Sequence, residues 1–128
     1  MSYYFAKTLH CPFDEAVQHT TEALKNAGFG VLTDINVTET LKKKLGAEFR
    51  NYRILGACNP AMAHQALEIE DKIGTMLPCN VIVQDLGGGN IEVAAIDPVA
   101  SMAAVQNPTL HQVAGKVRDM LQKMIEGL

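Results

Sequence analysis

Tryptophan is absent from the sequence, and aromatic residues make up only 5% of its 128 positions. Any core built from this chain must therefore be aliphatic. Excess positive charge is also missing: the formal net charge is −3. That balance excludes the basic footprint of a general nucleic-acid binder. No apolar run approaches the roughly 18 residues that a membrane span requires. Met1 to Leu9 lack the extended apolar stretch of a secretory signal. Cysteine is scarce, with three residues and no paired spacing. This fits a reducing cytoplasm better than a disulfide-stapled secreted domain. A Ser-His-Asp elbow, a dinucleotide fingerprint and a Walker loop are all missing. Internal repeats and low-complexity segments are missing too.

What is present is ordinary globular composition, 48% apolar and 20% charged. The length fits a single domain over residues 1–128. A chain of this size buries roughly two-thirds of its unfolded surface and needs no metal or disulfide to fold.

Tyr3 to Leu9 reads as a strand. Cys11-Pro12 then opens a helix, with Pro12 suited to its first position and Asp14 and Glu15 facing the positive dipole end. Phe13, Ala16, Val17, Thr20, Ala23, Leu24 and Ala27 form one stripe, ended by Gly28. Val31 to Val37 is a second strand, with Val31, Ile35 and Val37 on one face. Thr38 is placed to cap a short helix carrying Leu41 and Leu45 and stopped by Gly46. Lys42, Lys43 and Lys44 fall at its negative end, where a solvated basic run is favoured without any anion site.

Tyr52 to Cys58 is a third strand. Asn59-Pro60 caps and starts a helix running to about Glu70. Cys79 to Gln84 and Ile91 to Ala95 are two further strands joined by Gly87-Gly88-Gly89-Asn90. A strand follows these glycines, so they read as a hairpin turn and not as a phosphate cradle. Asp97-Pro98 opens a short helix. Asn107-Pro108 opens the last one, striped by Leu110, Val113, Ala114, Val117, Met120, Leu121, Met124 and Ile125.

The order is β-α-β-(short α)-β-α-β-β-α. A helical stripe buries itself on one side only, so the expected fold is α+β: a two-layer α/β sandwich with helices on one sheet face. The final hairpin is necessarily antiparallel, so the five-stranded sheet is expected to be mainly antiparallel or mixed.

Several stretches resemble, in order, the family catalogued as domain of unknown function 302 (DUF302). They include Gly28 to Val37, Leu41 to Gly46, Tyr52 to Pro60, Ala63 to Leu67, Ile73-Gly74, Leu77 to Val81 and Ala95 to Pro98. The resemblance spans nearly the whole chain. It implies a compact α/β fold and a homodimer, and supplies no catalytic residue. His10 and Cys11 lie outside the matched motifs.

The most suggestive local feature is a near mirror, Cys58-Asn59-Pro60 and Pro78-Cys79-Asn80. If the third and fourth strands run antiparallel, both thiols lie at one end of the sheet. A dithiol or soft-metal site is one reading, since thiolate is both nucleophile and ligand. Two small buried hydrophobes is the other, and the burial tendency of free cysteine favours it. His64, six positions after Cys58, completes a set of three with Cys79. That spacing matches no established zinc pattern and has no fourth member, so no metal site is assigned.

The function expected is that of a non-enzymatic, cytoplasmic, homodimeric domain without catalytic residues, cofactor, nucleic acid or membrane. It binds a small molecule or a protein partner near Cys58, Asn59, His64, Cys79 and Asn80. The alternative is a thiol-dependent or metal-dependent redox or sulfur-transfer protein using Cys58 and Cys79. A hydrolase or lyase has no supporting constellation.

Overall fold

The computed structural model describes residues 2–128. Its strands are β1 (Tyr4–Leu9), β2 (Gly30–Asn36), β3 (Tyr52–Cys58), β4 (Cys79–Asp85) and β5 (Ile91–Ile96). The helices are α1 (Phe13–Asn26), α2 (Val37–Leu45), α3 (Pro60–Ile69), α4 (Pro98–Ser101) and α5 (Pro108–Glu126), with a 3₁₀ turn at Asp71–Met76. The strands form one sheet in the order β1-β5-β4-β3-β2, antiparallel throughout. This is the α+β sandwich expected from the element order.

The helix starts use local chemistry. Asn36, Asn59 and Asn107 each accept a backbone N–H three residues on, and Asp97 accepts from Val99 and Ala100. Two expected boundaries shift. Pro12 stands at the N-cap of α1, one position earlier than expected. Asn36, not Thr38, caps α2. The Thr38 hydroxyl instead donates to Arg50 O and accepts from Tyr52 N. The hairpin glycines Gly87, Gly88 and Gly89 all take positive φ, between 64° and 86°, which only glycine adopts without strain.

Helices α1 and α5 lie on one face of the sheet. Beneath them Leu55, Ala57, Val81, Val83, Val93 and Ala95 meet Ala16, Leu24, Val117 and Leu121 in a mainly aliphatic core that also buries Phe29. A second core sits beside the first. There Ala66 of α3, Ile73 of the 3₁₀ turn and Met102 pack on Leu110, Val113 and Ala114 of α5. The long helix α5 therefore serves both units, its N-terminal half in one and its C-terminal half in the other.

The opposite sheet face carries an apolar row. Ile35, Ile54, Ile82, Ala94 and Ala6 are successive register partners across all five strands. None of them joins either core. Here the pattern of β2 departs from expectation. Val31 pairs with Ala57, but Thr33 pairs with Gly56, so Leu32 is an extra residue in a bulge. The bulge reverses the alternation. Val31 packs towards the helices, whereas Ile35 lies on the open face.

Candidate functional site

The two Cys-Asn segments meet at one end of the sheet. Ala57 and Cys79 are register partners in antiparallel strands, so Cys58 and Cys79 sit diagonally at the same end. All three cysteines are free. Alternation starts the Cys58 and Cys79 side chains on opposite faces. Cys79 points with Val81 and Val83 into the core and is buried. Cys58, the last residue of its strand, is half-buried.

Both thiols line a cavity of about 340 Å³. It lies at the seam between the two cores. The sheet side contributes Phe29, Ala57, Cys58 and Cys79; α3 contributes Met62, Ala63, Ala66 and Leu67; α5 contributes Leu110, Val113, Ala114 and Val117. The space exists because the seam is built of small residues. Ala57, Ala63, Ala66, Ala114 and Gly74 are too short to close it between elements held apart by larger neighbours. The bulged residue Leu32 lines the cavity as well, and it is 68% exposed.

No charged side chain lines this cavity among the described residues. The polar groups at its wall are the two thiols and the Asn59 amide. Burial, and secondarily the neighbouring Cys58, push the Cys79 thiol up to about 11. Cys79 is therefore a protonated thiol at neutral pH and a poor nucleophile. Asn59 Oδ1 accepts from Met62 N at 3.2 Å as the α3 cap. That contact fixes the orientation of the amide. Its Nδ2 lies against Gly28, whose Cα carries no side chain to displace it.

Of the five residues expected at the site, the structure brings together Cys58, Asn59 and Cys79. His64 does not join them. It faces outward from α3, its side chain 76% exposed, with Nε2 at 3.1 Å from Glu68 one turn on. Asn80 is also separate: strand alternation places it opposite Gly56 on the open sheet face, exposed. The set Cys58, His64 and Cys79 is thus dispersed. Among the described residues no group of three or more His, Cys, Asp or Glu side chains is arranged to hold a metal ion. The apolar lining of the cavity was missed by sequence reasoning. Met62, Leu77, Met102 and Leu110 carry the same signal as core residues, and no spacing distinguishes a wall from a filled core.

Fold and cavity together define a two-layer α+β sandwich that keeps an uncharged apolar pocket between two packing units. Residues 5–128 match the family model described as Domain of unknown function DUF302, and the chain belongs to that family. It is similar to a crystal structure of an uncharacterised conserved DUF302 protein from Bacillus stearothermophilus. The TM-score is 0.90 at 27% identity, over 98% of each chain. No curated protein matches the sequence.

Proposed function

We propose that the protein is a non-enzymatic binding protein that holds a small apolar molecule in the cavity between β3, α3 and α5. The observation that carries this reading is the cavity itself. Its volume lies within the 300–1,000 Å³ typical of ligand pockets and its wall is apolar with few polar groups. Cys58, Asn59 and Cys79 are the polar members of that wall. The rest of the reading is a homodimer joined through the row Ile35, Ile54 and Ile82, working in the reducing cytoplasm. Ile35 is 48% and Tyr4 43% exposed on that face, and an uncovered apolar patch of this kind marks an interaction surface. Three free cysteines are compatible with a reducing compartment. No helix among the described residues is long and apolar enough to cross a membrane.

The thiol-dependent alternative rests on the shared position of Cys58 and Cys79. It is the weaker reading, because a thiol raised to about 11 offers little thiolate for redox or sulfur transfer at neutral pH.

Native mass spectrometry of freshly purified protein tests the binding reading. The expected result is a dimer that carries a small organic adduct, or gains one per chain on exposure to apolar compounds, with no zinc. Stoichiometric zinc lost on Cys58→Ser supports the thiol-dependent reading instead.

A further inference from the structure

We propose that the molecule held in the cavity is a neutral aliphatic carbonyl compound whose oxygen accepts a hydrogen bond from Asn59 Nδ2; this rests on the binding reading above. Size comes first. At the roughly 30 Å³ that a water-sized group occupies in a liquid, a cavity of about 340 Å³ holds on the order of eleven non-hydrogen atoms. Shape comes next. Phe29 is the sole aromatic residue of the wall, so a planar ring finds no pair of faces to stack between. Met62 and Met102 are unbranched and adaptable, which suits a flexible chain.

The wall offers a charge no partner. No lining residue supplies a counter-ion to a carboxylate or ammonium held against it, and a desolvated charge without one is costly. One hydrogen-bond donor is nevertheless free. Asn59 Oδ1 is committed to Met62 N, which leaves Nδ2 to donate, and Nδ2 has no acceptor among the described residues. An acceptor with no proton of its own is the complement of an amide N–H. A ketone, aldehyde or ester carbonyl on an alkyl chain meets all of these conditions.

Ligand-observed NMR at pH 7 with 2-nonanone, nonane and nonanoate separates the parts of the proposal. The expected result is that 2-nonanone binds most tightly, with nonanoate roughly tenfold or more weaker because its carboxylate meets no counter-ion at the wall. Asn59→Asp keeps the helix cap but removes the donor. It is expected to weaken 2-nonanone roughly three- to tenfold, the worth of one neutral hydrogen bond, and to leave nonane unchanged. Ala63→Phe, at a half-buried wall position, fills the space; loss of all binding with native circular dichroism supports the site. Equal affinity for nonane and 2-nonanone, unaffected by Asn59→Asp, overturns the carbonyl contact while leaving the binding reading standing. Tight nonanoate binding overturns the neutral class. Failure of all three probes to bind overturns the binding reading itself.

Discussion

At the scale of single residues, the chemistry of the cavity wall turns on where each thiol stands. Cys58 ends β3 just before the N-terminus of α3 and stands half-buried in the cavity wall. Cys79 begins β4 inside the core and is held protonated by burial. Cys11 precedes α1, but Asp14 and Glu15 place negative charge in its first turn. Iodoacetamide should therefore modify Cys58 first at pH 7. Cys79 should become reactive only as the pH approaches about 11, because its raised pKa keeps the thiol form through the neutral range. Site-resolved mass spectrometry across pH 5 to 9 checks the order. Faster labelling of Cys79 or Cys11 than of Cys58 contradicts it. The sequence alone placed Cys58 just before a helix start, since cap chemistry is local. It did not place His64 or Asn80 correctly with them. His64 had no periodic signal to show that it faced outward from α3, and the importance of Asn80 rested on its resemblance to Asn59.

At the scale of elements, the bulge in β2 has the largest consequence. An unbroken alternation over Val31 to Val37 puts Val31 and Ile35 on one face. The extra residue Leu32 separates them and turns Leu32 towards the cavity. The next register pair, Thr33 with Gly56, explains why β3 carries glycine there. A Cβ on Gly56 would stand 2.1 Å from Thr33 Oγ1 and 2.7 Å from Pro78 Cγ. The threonine hydroxyl can rotate away, but the proline ring cannot, and it borders the cavity. Gly56→Ala should lower stability by about 1–3 kcal/mol, the usual cost of overpacking a filled site. Urea denaturation measures this as a lower midpoint at unchanged slope. A midpoint equal to that of the parent protein contradicts the close approach. The bulge was not legible in the sequence. Gly-Val-Leu-Thr-Asp-Ile-Asn reads as an ordinary strand, and only pairing with β3 reveals the unpaired residue.

At the scale of the whole molecule, the sheet is covered on one side only. The apolar row Ile35-Ile54-Ile82-Ala94-Ala6 crosses every strand, so a second copy of the chain can cover it without leaving its own row exposed. Light scattering at micromolar concentration should give twice the 13.9 kDa chain mass. Ile54→Lys, which places a charge at the centre of the row, should give the mass of one chain with unchanged circular dichroism. A single-chain mass for the parent protein rules out the dimer at that concentration.

The sequence by itself determined the element order, the starts of α3, α4 and α5, and the two-layer architecture. Each follows from interactions within a few residues: asparagine and aspartate caps, first-turn prolines, glycine turns, and stripes of period 3.6. It also settled that the last two strands form an antiparallel hairpin. Tertiary structure alone decided the rest. The strand order and bulge depend on which strands pair. The cavity depends on Ala57, Ala63 and Ala66 meeting Ala114, far along the chain, at one seam. A small apolar residue looks the same in sequence whether it touches a neighbour or faces a void, because that difference lies in the distance between elements.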